Sequence, residues 1–286
     1  MRLAVSLVSG LLLLLLCGWP AGFAHAQDQA REQTQGKAGT TYTVAVVPVV
    51  PPSEIKRRWQ PVLDRLSRDT GLHFRFRFYK DFQEFENSLI QNEADFAVMS
   101  PVQLWRLRQH YQPQLRGNMA MTGIVVVQKD SRIDRLASLQ GQTLSLPDGA
   151  NHAANILVLQ TLKEQKITPE LRQAKSENNA LRSVLLGKAD AAIINNYSLK
   201  FLPLGMAEQL RIIHQTVELP PPPICANARV PPEDVQRVKV AMLKLKETQP
   251  QLLESILMPG LLEADFERDY SIVGKLLPAG AINGRH

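Results

Sequence analysis

Cysteine is nearly absent from this chain of 286 residues, which holds only Cys17 and Cys225. With Cys17 in a leader that is expected to be removed, no intrachain disulfide can form, and stability must come from a packed core. Cys225 alone reads as a small buried apolar residue. The other reading is a soft ligand for a metal or metalloid, since thiolates bind such centres. Also missing are a nucleophile elbow, clustered His/Cys/Glu at metal-ligand spacing, a phosphate-cradling glycine loop and a carboxylate pair with a plausible chemical role. The expectation is therefore a protein that is not an enzyme and carries no cofactor, metal or catalytic residue. The basic residues lie scattered over helix faces without interleaved aromatics, so nucleic acid is not an expected partner. After the first hydrophobic stretch no second one follows, which argues against a membrane-spanning chain.

That first stretch is a leader. Arg2 is its one charge, Leu11 to Leu16 is an apolar run, and Ala24-His25-Ala26 is a small-x-small site before Gln27. Residues 1–26 are read as a cleaved export signal, so the mature chain begins at Gln27 and is periplasmic. Leu14-Leu15-Leu16 before Cys17 does not resemble a lipoprotein signal. Residues 27–41, rich in Gln, Gly and Thr, lack the apolar cluster needed to offset the entropy of ordering and read as a flexible tether. Removing Arg2 lowers the formal charge from +6 to +5, a mild basic excess that would steer anions towards a cleft.

The remaining residues alternate between two periods. Thr43 to Pro48 is a small and β-branched run, as expected of a strand covered on both faces. Ser53 offers an N-cap, and Ile55, Trp59, Val62, Leu63 and Leu66 recur at helical spacing until Gly71. His73 to Tyr79 alternates as a strand with one wet face. Helices are expected at 81–92, from Pro101, at 150–166 and at 178–186, and strands at 95–99, 124–128, 143–146, 189–194 and 210–214. This βα alternation implies an α/β fold. Pro220 to Pro223 cannot be helix or interior strand and reads as a stiff crossing, with helices around Val235 to Leu245 and Leu252 to Met258 after it.

One internal echo stands out. Residues 87–100 (NSLIQNEADFAVMS) and 182–195 (RSVLLGKADAAIIN) share a helix end, an Ala-Asp-x-Ala turn and a buried strand, 95 positions apart. Two lobes built alike would set these strand ends facing each other across a cleft, where ligands of α/β sheets usually sit. Asp95 and Asp190, the echoed acids, are read as ties for their turns.

The runs Val44-Ala-Val-Val-Pro48, Trp59 to Leu66 (WQPVLDRL), Tyr79-Lys-Asp81, Ala94 to Pro101 (ADFAVMSP), Leu136 to Thr143 (LASLQGQT), Asn179-Ala-Leu181 and Ala189-Asp-Ala-Ala192 stand in an order that resembles the periplasmic phosphate-, phosphite- and phosphonate-binding proteins of ABC importers. The likeness covers Tyr42 to Leu276. It implies a two-lobed type II periplasmic binding protein fold, each lobe a mixed, mostly parallel sheet flanked by helices, with a hinge and an interlobe cleft. Lobe one would comprise residues 42–122 and, after the return crossing, 216–286; lobe two would span 123–215. The implied function is to bind a small anionic or polar ligand and present it, as a monomer, to an inner-membrane permease.

In relatives the oxyanion sits at the N-terminus of a helix that follows a strand, where unpaired N–H groups favour negative charge. The resemblance places that helix start at Asn151, His152 and Ala153, without the Ser/Thr-rich stretch of phosphonate binders. After the lobe-two strand, Asn196 and Tyr197 stand where aminophosphonate binders have a carboxylate, so the wall is neutral, and Asn178 is a further hydrogen-bonding candidate. Lobe one offers Tyr79, Met99 and Ser100 at its strand ends, with Val49 and Val50 in the first loop. Ser100 serves either the ligand or the helix that begins at Pro101; Asp148 or Asn151 could equally cap the helix after them. A second function stays open: a periplasmic ligand-sensing or metal/metalloid-binding module that signals to a receptor kinase or redox partner.

Overall fold

The computed structural model describes residues 40–148, 152–203 and 205–277. The expected leader, the tether up to residue 39, Asn151 and the last nine residues lie outside that range. In chain order the elements are β1 (Thr41–Val46), α1 (Pro52–Thr70), β2 (His73–Arg77), α2 (Phe82–Ile90), β3 (Phe96–Val98), α3 (Pro101–Leu107), β4 (Tyr111–Arg116) and β5 (Gly123–Gln128). They continue with β6 (Thr143–Pro147), α4 (Ala153–Glu164), β7 (Glu170–Ala174), α5 (Glu177–Leu185), β8 (Ala191–Asn195), α6 (Asn196–Lys200) and β9 (Leu210–Gln215). After the proline run come β10 (Pro223–Asn227), α7 (Pro232–Thr248), α8 (Pro250–Ser255), β11 (Leu262–Glu263) and α9 (Val273–Leu276).

These strands form two sheets. The first has the order β11-β4-β10-β3-β1-β2, and the second β7-β6-β8-β5-β9. Parallel pairing is confined to β2-β1-β3 and β7-β6-β8, the strands linked by helical crossovers. The strands on either side of the two crossings, β4, β5, β9 and β10, run antiparallel to their neighbours, more of them than the helix-strand alternation alone suggested. Each sheet buries both faces. Trp59, Val62 and Leu66 of α1 pack with Val238 and Met242 of α7 on one face of the first sheet. Phe85, Leu89, Met99, Tyr111, Cys225 and Tyr270 fill the other. Around the second sheet, Val125, Leu144 and Val158 share one core and Ile124, Leu181 and Ile194 the other.

Two sequence features act here as turn chemistry. Asp95 accepts the Thr43 N–H at 2.7 Å, while its own N–H donates to Thr43 O at 2.9 Å. Asp190 makes the same pair with Thr143, at 2.8 and 2.9 Å. The echoed acids thus clamp equivalent strand starts in the two lobes. Ser53, in contrast, is not a cap: α1 starts at Pro52 after Pro51, because proline's fixed φ already suits the first helical position.

The chain passes between the sheets twice, at 117–122 and 216–222. The crossings are tied to each other by Met121 N–H to Leu219 O (2.9 Å) and the reciprocal bond (2.8 Å). Tyr270 adds a strut, its hydroxyl donating to Pro221 O at 2.9 Å. A separate apolar cluster of Val102, Met121, Ala153, Leu157, Leu219 and Val273 packs around this hinge.

Candidate functional site

A cavity of about 90 Å³ lies where the strand ends of the two lobes meet. One water needs roughly 10–15 Å³ by such a measure, so there is room for one small molecule. Its walls are mostly apolar: Val46, Val49, Ile55, Trp59 and Phe82 from the first lobe, Ala153, Tyr197 and Phe201 from the second, and Ile256 to Met258 after α8. Arg58, Ser100, His152 and Asn195 are the polar side chains on this lining. Two contacts bridge the lobes across it: Phe82 meets the His152 ring, and the Arg58 guanidinium sits 4.8 Å from the centre of the Phe201 ring.

The helix α4 opens on this cavity. His152 is its N-cap residue and makes no capping hydrogen bond, so Asp148 does not hold that position. The first backbone bond of the helix runs from Ile156 N–H to His152 O at 3.1 Å, which leaves the N–H groups of Ala153, Ala154 and Asn155 ahead of the ladder. Asn155 ties this turn to the end of β6 by donating its amide to Pro147 O at 2.7 Å. Unpaired N–H groups at a helix start, with the helix dipole behind them, favour an anion.

Directly beside that turn lies a buried acid that local patterning passes over. Glu177, in the first turn of α5, is 2% exposed. One carboxylate oxygen, Oε1, meets His152 Nε2 and accepts Asn195 Nδ2–H at 2.6 Å. The other, Oε2, accepts the Asn195 backbone N–H at 3.0 Å and the Ser198 hydroxyl. Asn195 Oδ1 in turn accepts the Ser198 N–H at 3.1 Å. The carboxylate is thus fully hydrogen-bonded, the condition for burying such a charge. His152 is 4% exposed, and its Nδ1 has no partner among the described residues.

The structure brings four of the residues expected at the site to the cavity: Ser100, His152, Ala153 and Tyr197. Ser100 serves the helix as well, in a capping box where its Oγ accepts Gln103 N–H at 3.2 Å and Gln103 Oε1 accepts Ser100 N–H at 3.0 Å. The Tyr197 hydroxyl donates to Met119 O in the crossing, and burial pushes its phenol pKa up, so it stays neutral. Asn151 lies outside the described residues. The structure places the other four candidates, Met99, Tyr79, Asn196 and Asn178, away from this lining. Met99 and Tyr79 do not reach the cavity; both are packed in the core beneath α2, Tyr79 edge-on to Phe85 with 5.3 Å between ring centres, because the strand ends turn them inward. Asn196 is a hinge residue: its amide accepts Thr122 N–H at 3.1 Å and donates to Ala120 O at 2.9 Å. Asn178 lines a second, wider groove with Arg57, Arg58 and Arg182. That groove adjoins the cavity at Val49, Val50, Arg58 and Phe201.

Cys225 is fully buried on β10 between β3 and β4, with its thiol pKa raised by burial. A neutral thiol in the core is not placed to capture a metalloid in the cleft. Among the described residues no helix is long and apolar enough to cross a membrane.

Known proteins resemble this chain in family pattern and in fold. A family model described as "ABC transporter, phosphonate, periplasmic substrate-binding protein" matches residues 44–270. No curated protein sequence matches. Among solved structures, a binding protein component of an ABC phosphonate transporter from Pseudomonas aeruginosa superposes with a TM-score of 0.72 at 17% identity, covering 83% of this chain and 85% of that one. PhnD1 from Prochlorococcus marinus, in complex with methylphosphonate, gives 0.74 at 12% identity over 83% and 97%. A Xanthomonas citri protein bound to chloride ion gives 0.64 at 18% identity over 82% and 96%. At these identities the likeness is one of fold.

Proposed function

The chain belongs to the family of periplasmic substrate-binding proteins of phosphonate ABC transporters, and from that premise we propose that it captures a small alkylphosphonate-like oxyanion in the interlobe cleft and hands it to an inner-membrane permease. The observation that carries this reading is the start of α4, where N–H groups without a partner among the described residues and His152 open on a cavity otherwise walled mostly by Val, Ile, Trp and Phe side chains. The anionic head would lie at Ala153, Ala154 and His152, and a short alkyl group would fill the apolar part. A longer cationic tail meets no carboxylate on this lining among the described residues, and nearby Glu177 is already saturated by its own partners.

On this reading Ser100, Asn151, His152, Ala153 and Tyr197 form the binding site, and Asn196 serves the hinge. The protein acts as a monomer without catalysis or nucleic-acid binding, exported by a leader cleaved after Ala26. Closure draws its energy from contacts made only when the lobes meet, such as Phe82 on His152. Calorimetry of the protein with methylphosphonate, phosphate, phosphite and sulfate tests it. Binding strongest for methylphosphonate, together with a smaller radius of gyration in solution scattering, is the expected result; no heat with any of the four contradicts it.

A further inference from the structure

Glu177 places a negative charge beside the very turn that would receive an anion. It lies across the His152 ring from whatever meets Nδ1, and it determines what that nitrogen can do. An ionised carboxylate only accepts hydrogen bonds, so the nitrogen facing it, Nε2, carries the proton. In the neutral ring the other nitrogen, Nδ1, is then an acceptor. That acceptor is buried and unpartnered among the described residues, and buried polar groups are normally satisfied.

The surroundings supply no spare positive charge. From α1, Arg58 reaches the cavity but is held by Glu54 at 2.7 Å and by Ser255 O at 3.0 Å. From α6, Tyr197 stays a neutral phenol bonded to Met119 O. From α2, Phe82 presents an apolar edge. From α5 comes Glu177 itself. No other titratable side chain lines the cavity among the described residues.

We propose that Glu177, acting through His152, is a positioning residue that sets the specificity of the cleft: the Nδ1 acceptor it enforces selects an oxyanion that brings a proton, a hydrogen phosphonate, over one of the same shape that stays fully ionised, such as a sulfonate. The inference rests on the oxyanion reading of the cleft given above. A hydrogen phosphonate has one P–OH to donate to Nδ1 and two further oxygens to accept from the N–H groups of α4. A sulfonate has three acceptors and no donor, so one oxygen would face the Nδ1 lone pair. Sites built to hydrogen-bond a substrate group reject analogues that lack it by large factors, because the buried partner is left unpaired. The preference expected here on that ground is about 100-fold or more.

Competition calorimetry of the protein with methylphosphonate and methanesulfonate at pH 7 reads this directly. The expected result is a preference for methylphosphonate of about 100-fold; equal affinities overturn the inference and leave the oxyanion reading standing. Failure of both ions to bind overturns the oxyanion reading as well. Glu177→Gln, with folding checked by circular dichroism, is expected to narrow the preference to within about tenfold while methylphosphonate still binds. A readout on the unaltered protein covers the case in which that variant does not fold. Nitrogen-15 spectra of the His152 ring are expected to show Nε2 protonated and Nδ1 bare in the free protein, with Nδ1 moving to a hydrogen-bonded position on adding methylphosphonate. A bare Nε2, or an Nδ1 signal unchanged by saturating methylphosphonate, contradicts the proposal.

Discussion

The ring of Phe82, from the first lobe, stands edge-on to the ring of His152, from the second, with centres 5.5 Å apart and planes inclined at 62°. This contact joins the lobes at the cavity and touches the residue proposed to meet the ligand. Edge-to-face pairs contribute about 0.5–1.5 kcal/mol beyond burial. Phe82→Ala should therefore favour the open form and weaken methylphosphonate binding by about 2- to 12-fold, most of it as faster release. Stopped-flow dissociation rates check this, and an unchanged rate would show that the contact does not hold the closed form.

Glu177 is the most heavily committed polar side chain at the site. Removing one partner of a buried, hydrogen-bonded charge cluster costs about 3–5 kcal/mol, because the groups left behind are unsatisfied. Glu177→Ala leaves the Asn195 N–H, the Ser198 hydroxyl and His152 Nε2 without their acceptor. Urea unfolding should show a lower midpoint with an unchanged slope.

How much of this could be read from residues alone depends on the range of the interactions. Ile55, Trp59, Val62, Leu63 and Leu66 are all buried on α1, since helical spacing is a local property. The Asp95 and Asp190 turns were equally visible, because the echo places each acid beside the strand that it closes. Glu177 was not visible. Its partners His152 and Asn195 lie 25 and 18 residues away, and an acid in a first helical turn ordinarily serves the dipole. Tyr79 and Met99 sit in the core and not on the cavity lining, because strand-end register decides which side chains face the cleft, and a one-residue shift reverses the face. Residues 256–258 join the cavity only through the return of the chain after β10, which no local pattern announces.

The start of β5 packs tightly under the site helix. A Cβ added at Gly123 would lie 2.9 Å from Ala154 Cα and 3.1 Å from Ala154 Cβ, and the contact on the helix side is backbone. Gly123→Ala should force α4 away from β5, at a cost of about 1–3 kcal/mol. Thermal unfolding measures the loss, and ligand affinity should fall with it because Ala154 lies in the anion-facing turn.

Stability should also fall at both ends of the pH range. Burial would raise the Asp269 carboxyl, but hydrogen bonds from Arg268 and the Asp265 N–H, with Arg116 at 3.4 Å, outweigh it and hold the pKa at about 2. A carboxyl lowered on folding contributes stability above its unfolded value near 4, and that contribution of about 2 kcal/mol is lost as pH falls towards 2. Asp269→Asn should flatten this acid slope. Burial raises the phenols of Tyr42, Tyr197 and Tyr270. A group raised on folding stabilises below its unfolded value, so stability should decline as pH rises above about 10. Urea midpoints between pH 2 and 11 measure both limbs.

The central claim is that the cleft receives an oxyanion at the first turn of α4, and a crystal structure of the protein with methylphosphonate tests it most directly. The account predicts phosphonate oxygens within hydrogen-bonding distance of the Ala153 and Ala154 N–H groups and of His152 Nδ1, with the methyl group against Trp59 and Val49. Methylphosphonate seated instead among Arg57, Arg58 and Arg182, with the first turn of α4 bare, would contradict it.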